Sequence, residues 1–250
     1  MPNLPLDAVL AVDVGASTIK VCAVGADGEL LESVRHVATP YPCEPHRLVT
    51  TVATEGASAG LSRMGVGFPG DVADGVVVEP GNLSRPGGIA TEVDAALHDA
   101  WHGFDLQAAL RRESEIDVRV VNDATLAALG CSRGQGRELV VTLGTGFGIA
   151  LVVDGSATRI RDVGAEDFGG LGTYDEVFGE PSRARDGELW RERLIVALGR
   201  FAAEFSASTV HVGGGNARVV EPSWFDARTF GVVRHDNRAS LRGAARLVYP

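Results

Sequence analysis

The sequence predicts an α/β protein of two related lobes, each with a mixed sheet, and two observations carry that prediction. An apolar run that ends in a small-residue turn and returns as a second apolar run occurs twice, at 8–24 and at 138–153. Short apolar strands also alternate with segments of helical spacing along the chain, which is the pattern of layered α/β folds. Ligands of such sheets gather at the carboxyl ends of the strands, where these glycine-rich turns fall. A cleft between the lobes is therefore the expected site.

In chain order, Ala8 to Val14 reads as a buried strand, with Asp13-Val14-Gly15-Ala16-Ser17-Thr18 as its end and turn. Ile19 to Val24 returns as a second strand, and Leu30 to Ala38 follows as a third after the turn Ala26-Asp27-Gly28-Glu29. Leu48 to Leu61 has helical spacing. Met64 to Phe68 is a strand running into the loop Phe68-Pro69-Gly70, and Val72 to Glu79 is a short hairpin about Asp74-Gly75. Asp105 to Arg112 is a helix, Val118 to Val121 a strand, and a further helix starts at Ala124, just past Asn122-Asp123. The second cycle runs from the strand Glu138–Leu143 through the turn Gly144-Thr145-Gly146-Phe147-Gly148 to the strand Ile149–Val153. Residues 162–188 read as loops and short helices, Leu189–Phe205 as an amphipathic helix and Thr209–Val212 as a strand entering Gly213-Gly214-Gly215-Asn216. A late strand spans Phe230–Val233 and a final helix Ser240–Leu247. The expected lobes are 1–121 and 122–250, with the final helix, about 238–248, packing on the first.

Bulk properties exclude several classes. Of 250 residues, 45% are hydrophobic and 22% charged, which suits a folded domain and not a disordered chain. Lysine and arginine number 23 against 33 acidic residues, a formal net charge of −10, which argues against a general nucleic-acid or anionic-membrane binder. Lys20 is the only lysine. The three cysteines, Cys22, Cys43 and Cys131, are scattered, so neither a disulfide framework nor a structural zinc site is expected. The first apolar run is too short to span a bilayer and no basic region precedes it. A cytoplasmic location follows as an expectation, with no membrane and no nucleic-acid partner.

Four segments carry chemistry. In Asp13-Val14-Gly15-Ala16-Ser17-Thr18-Ile19-Lys20, small residues let backbone N–H groups approach phosphate oxygens, the hydroxyls of Ser17 and Thr18 add donors, and Lys20 can neutralise charge. Asp13 is a candidate Mg²⁺ ligand. The alternative is an ordinary hairpin with a solvated lysine. Gly144, Thr145 and Gly146 form a second such turn; no Gly-Lys-Ser/Thr follows and a strand succeeds it, so it is neither a P-loop nor a dinucleotide fingerprint. Asn122 and Asp123, at a strand end entering a helix, suit the orientation and deprotonation of an attacking hydroxyl; helix capping is the competing reading. Gly213, Gly214 and Gly215 permit close approach of a flat ligand, or form a plain turn.

Taken together and in order, DVGASTIK, VGFPG, GNL, VNDATLAALG, TLGTGFGIAL, VGGGN and the Gly243-Ala244-Ala245 tail resemble the ROK family, and its short branch of polyphosphate/ATP glucokinases in particular. The resemblance implies a two-lobed actin-like ATPase (ribonuclease H-like) fold with a central cleft. It implies a phosphoryl transfer from ATP or polyphosphate, with Mg²⁺, to a hydroxyl of glucose or a glucose-like sugar or cyclitol. By it, Asp13, Gly15, Ser17, Thr18 and Lys20 match the first phosphate segment; Gly144, Thr145 and Gly146 match the second; and Gly213, Gly214 and Gly215 match the adenosine side. Asp123 matches the general base, and Asn82 and Asn122 match sugar contacts. A homodimer is also implied. One departure bears on the acceptor: the family's Glu-x-Gly-His is replaced by Asp162-Val163-Gly164-Ala165, leaving Asp162, or else Glu166 or Asp167 of the same acidic loop, as the acidic sugar contact. That loss keeps a second reading open, a non-catalytic sugar- or nucleotide-binding regulator.

Overall fold

The computed structural model describes residues 4–144, 146–160 and 163–249. The chain divides into two compact units, Met1–Leu126 with Ser240–Pro250, and Ala127–Ala239. The division falls a few residues later than the expected 121/122 boundary. The reason is local: Leu126 is fully buried in a core with Val9, Ala11, Cys22, Leu241, Ala244 and Ala245, which keeps the first turn of its helix with the first unit.

The first unit holds a five-stranded sheet of β1 (Val9–Val14), β2 (Thr18–Val24), β3 (Arg35–Ala38), β4 (Arg63–Phe68) and β7 (Asp117–Asn122), in the order β3-β2-β1-β4-β7. The β1–β2 and β2–β3 pairs are antiparallel, and the β1–β4 and β4–β7 pairs parallel. Strand β1 is apolar but for Asp13, because both faces are covered. Leu10, Val12 and Val14 join Leu48 and Val52 of α1 (Pro45–Ala59) and Leu106 and Leu110 of α3 (Leu106–Ser114). Val9 and Ala11, pointing the other way, meet Leu126 of α4 (Asp123–Cys131) and Leu241, Ala244 and Ala245 of α7 (Ala239–Val248). The side-chain period of two along a strand produces this division. A two-residue turn joins the small hairpin of β5 (Asp71–Ala73) and β6 (Val76–Glu79).

One glycine sets how near α4 comes to the sheet. A Cβ on Gly67 of β4 would lie 2.9 Å from the Leu126 side chain and 3.3 Å from the Asp123 Cα. The bare backbone there lets the start of α4 rest directly on β4.

The second unit repeats the strand plan. Its sheet has the order β10-β9-β8-β11-β12, from β8 (Arg137–Leu143), β9 (Phe147–Val153), β10 (Ser156–Arg159), β11 (Thr209–Gly213) and β12 (Gly231–Arg234). The β8–β9 and β9–β10 pairs are antiparallel, and the β8–β11 and β11–β12 pairs parallel. Leu139, Val141 and Leu143 pack with Trp190, Leu194, Leu198 and Phe201 of α6 (Glu180–Glu204) and with Tyr174 and Phe178 of α5 (Tyr174–Phe178). Phe147 lies at the centre, 5.2 Å ring to ring from both Tyr174 and Phe178.

Some elements differ from the sequence reading. The third strand covers only Arg35–Ala38; Leu30 keeps one isolated bridge to Val24. Helix α2 (Ala95–Trp101) and strand β10 were not foreseen. In α6 a short helical stretch from Glu180, with Pro181 in its first turn, precedes the expected amphipathic helix, and Gly187, at φ 43° and ψ −101°, breaks the two apart just ahead of Leu189. Among the described residues no helix is long and apolar enough to cross a membrane.

Gly214, directly after β11, holds φ 86° and ψ 174°, and a Cβ there would lie 2.3 Å from the Leu143 carbonyl oxygen. That backbone region is essentially restricted to glycine. Gly214→Ala is predicted to lower the melting temperature by roughly 5 °C or more, corresponding to ~2 kcal/mol or more. A melting curve equal to wild type would contradict the packing described.

Candidate functional site

The junction of β7 and α4 builds the first part of the site. The Asn122 side chain caps α4: its Oδ1 accepts from the Ala124 N–H at 2.9 Å and the Thr125 N–H at 3.2 Å. Its Nδ2 donates to the Gly70 carbonyl at 2.9 Å and to Asp123 Oδ1 at 3.0 Å. The capping reading thus holds for Asn122, and both amide hydrogens are engaged within the protein. In this arrangement Asn122 orients Asp123 instead of reaching outward. The Ala124 N–H also donates to Asp123 Oδ1, at 2.7 Å. All protein donors to Asp123 converge on Oδ1, and among the described residues Oδ2 has no hydrogen bond.

Asp13, one residue before the end of β1, is buried and pairs across the β1–β2 hairpin with Lys20. Lys20 Nζ lies 2.9 Å from Asp13 Oδ2, and the Ser240 hydroxyl, at the start of α7, donates to the same oxygen at 2.7 Å. Asp13 Oδ1 therefore stays open among the described residues. The electrostatics link the two carboxylates. Burial pushes the Asp123 carboxyl up to about 7, and the Asp13 charge adds to the rise; the Ala124 N–H, Asn122 and Lys20 pull the other way.

The turn between β1 and β2 is organised by its carbonyls. Gly15, Ala16 and Ser17 each have the backbone C=O engaged, by Thr39 Oγ1, Tyr41 Oη and the Thr39 N–H respectively. The N–H groups of Ala16 and Ser17 have no protein acceptor among the described residues. Gly15 donates to the Thr18 carbonyl at 3.1 Å. Ser17 is exposed and Thr18 half-buried. A row of outward amides in a tight turn is an anion-binding arrangement.

In the second unit the turn after β8 contains Gly144, whose N–H donates to the Gly146 carbonyl at 3.0 Å. Asn216, almost fully buried, donates from Nδ2 to the Gly144 carbonyl at 3.2 Å. This bond ties the glycine run Gly213-Gly214-Gly215 to the turn. A residue the sequence reading missed also stands here. Asp175, in the first turn of α5, accepts from the Phe147 N–H at 2.7 Å, and its carboxylate would collide with a Cβ on either Gly146 or Gly164. The signal was legible: Thr173 and Glu176 form a capping box, each side chain bonded to the other's backbone N–H, which spells a helix start at this point.

Asn82 lies in a short 3₁₀ turn, Gly81–Ser84, half-buried, with its side-chain amide unbonded among the described residues. Glu166 is half-buried in the loop before α5, where its carbonyl accepts from the Tyr174 N–H. Thr145 and Asp162 lie outside the described residues.

The oxygen donors suit a hard cation. Asp13 and Asp123 each present one carboxylate oxygen without a protein hydrogen bond, and among the described residues no cluster of three or more potential metal ligands occurs. A Mg²⁺ ion held by one or two carboxylates, with a phosphate ligand completing its shell, fits this sparse set.

A family model described as "ROK family" matches residues 9–165. A polyphosphate glucokinase of Mycobacterium tuberculosis (strain ATCC 25177 / H37Ra) is 26% identical over 218 residues, covering 83% of this chain and 77% of the relative. The crystal structure of an inorganic polyphosphate/ATP-glucomannokinase from Arthrobacter sp. strain KM superposes with a TM-score of 0.77 at 27% identity, covering 97% of this chain and 98% of that one. A Streptomyces griseus ROK family glucokinase in complex with glucose and AMPPNP shares the fold, with a TM-score of 0.67 at 21% identity over 96% of this chain and 98% of that one.

The raised Asp123 carboxyl has a consequence for stability. The folded protein holds this proton up to about pH 7, whereas the ordinary value is 3.8. Between those values the native state binds more protons than the unfolded state, so the site's contribution to stability falls as pH rises. Asp123→Asn is predicted to melt several degrees higher than wild type at pH 8 and at the same temperature at pH 4. A variant that melts lower than wild type at pH 8 would show that the carboxylate is not strained there.

Proposed function

We propose that this chain, which belongs to the ROK family, is a sugar kinase that transfers a phosphoryl group from ATP or polyphosphate to a hydroxyl of glucose or a glucose-like sugar. The observation that carries the reading is the Asp123 carboxylate: one oxygen held by Asn122 and Ala124, the other open, with a proton affinity set near neutrality by burial and by Asp13. Those are the properties of a general base that works at physiological pH. The names of the similar proteins, polyphosphate glucokinase and polyphosphate/ATP-glucomannokinase, supply the substrate class and both donors.

In the step itself, the acceptor hydroxyl gives its proton to Asp123 Oδ2 while its oxygen forms a bond to the terminal phosphorus of the donor. The phosphorus–oxygen bond to the rest of the donor breaks, and ADP or a shortened polyphosphate leaves. The outward amides of Ala16 and Ser17 bind donor phosphate oxygens, and the turn at Gly144 and Gly146 offers a second phosphate contact. Lys20, paired with Asp13, offsets part of the added negative charge. The open Asp13 Oδ1 would hold Mg²⁺, which when bound neutralises the donor's phosphate charge. Gly213, Gly214 and Gly215 leave bare backbone for the flat base of ATP. Asn82, whose side-chain amide is unbonded among the described residues, is assigned to the acceptor, as are Asp162 and Glu166. Neither of the last two reproduces the family's Glu-x-Gly-His pattern, so a relaxed acceptor preference that extends to cyclitols is part of this reading.

Asp123→Asn is predicted to lower turnover by at least about a thousandfold, while calorimetric titration shows MgATP binding within a few-fold of wild type. Retained turnover would remove Asp123 from the role of base. The proton affinity gives a second test. The base must be deprotonated, so kcat/KM should rise about tenfold per pH unit below pH 7 and level off above it. A profile that is flat from pH 5 to 8 would contradict the assignment.

A further inference from the structure

We infer that Tyr41 is a positioning residue for the phosphoryl donor, fixing the direction of the Ser17 N–H through a hydrogen bond on the opposite edge of the same peptide. The inference rests on the reading that the β1–β2 turn binds donor phosphate. In a planar trans peptide the C=O of one residue and the N–H of the next point in opposite directions. The Tyr41 hydroxyl donates to the Ala16 carbonyl at 2.6 Å, so the Ser17 N–H of that peptide is turned away from Tyr41. Thr39 does the same for the preceding peptide, donating from Oγ1 to the Gly15 carbonyl at 2.8 Å and so turning out the Ala16 N–H.

Strand register explains why these two side chains reach the turn. Strands β2 and β3 pair with Thr18 opposite Ala38, so the chain just past β3 runs beside the turn that precedes β2. Thr39 is buried there and Tyr41 half-buried. Burial, with Cys43 nearby, pushes the Tyr41 hydroxyl above its ordinary range, so it remains a proton donor across the working range of pH. Gly88, at φ 72°, lies against the hydroxyl end of the ring, where a Cβ would come 3.2 Å from Tyr41 Cζ and 3.4 Å from its Oη. Gly88 belongs to the segment Ser84-Arg85-Pro86-Gly87-Gly88 that follows Asn82. Tyr41 thus stands between the turn assigned to the donor and the loop that leads from the residue assigned to the acceptor.

The test uses the full chain and Tyr41→Phe, which removes only the hydroxyl and keeps the ring against Gly88. Binding of Mg-AMPPNP and of inorganic polyphosphate is measured by calorimetry, and glucose binding in parallel. The expected result is donor affinity weakened about tenfold, with glucose affinity within twofold and the melting temperature within about two degrees. In steady state the donor KM rises while the acceptor KM stays in place. Donor affinity equal to wild type would overturn the inference and leave the kinase reading intact. An equal loss of donor and glucose affinity with a lowered melting temperature would also overturn it, by reducing Tyr41 to a packing role. If wild type itself binds neither donor, the kinase reading fails and this inference with it.

Discussion

The site depends on the four hydrogen bonds made by one neutral side chain, Asn122. Its carbonyl closes the first turn of α4, and its amide joins the Gly70 loop to Asp123. With Asp123 Oδ1 fixed in this way, Oδ2 is left without a hydrogen bond among the described residues, and the proposed function assigns it the incoming proton. Gly67 supplies the matching constraint from below, since any side chain on that face of β4 would push α4 off the sheet. The proton affinity of Asp123 then follows from its surroundings. Burial makes the charge costly, Asp13 makes it costlier, and Lys20 with two hydrogen bonds keeps it attainable.

The two units share a strand plan and divide the chemistry unequally. At equivalent places in the hairpins, the first unit pairs Asp13 with Lys20 and the second pairs Thr142 with Gly148. The first turn therefore carries ionised groups, and the second presents backbone and small residues. The second unit places its buried charge elsewhere. Glu138 accepts from the N–H groups of Arg133, Gly134 and Gln135 and bonds His211 at 2.7 Å. Burial raises its carboxyl, but the Arg133 N–H and the His211 bond outweigh that and leave it below the usual range. Such a network satisfies a buried carboxylate completely and anchors the loop after α4 to β8 and β11.

Much of this was legible in the sequence, for identifiable reasons. The strands flanking both turns are mostly apolar, interrupted by a few polar residues such as Asp13 and Lys20, because both faces of the central strands are covered, and such runs are hard to mistake. Asp123 could be singled out only through the family resemblance that VNDATLAALG shares with the other segments, because a carboxylate at a strand end entering a helix is read equally well as a cap. Asn122 was ambiguous between cap and ligand, and only coordinates show where its amide hydrogens go. The β3 boundary was overcalled because 30–38 contains scattered apolar residues, with just one bridge at Leu30. Helix α2 is short and alanine-rich and offers little periodicity. Asp175 was hidden within a Gly- and acid-rich stretch, although the Thr173–Glu176 capping box marked its helix. The Tyr41 bond was out of reach of sequence reasoning, since it depends on how β3 registers against β2.

The account's central claim is that Asp123 is a carboxyl whose proton affinity has been raised to neutrality by burial and by Asp13. Carbon-13 NMR titration of the aspartate side chains in the unliganded protein tests this directly, with Asp123→Asn used to assign the resonance. The account predicts a midpoint near 7 that moves toward the ordinary aspartate range in Asp13→Asn. A midpoint near 4 in wild type, unchanged by that substitution, would contradict it.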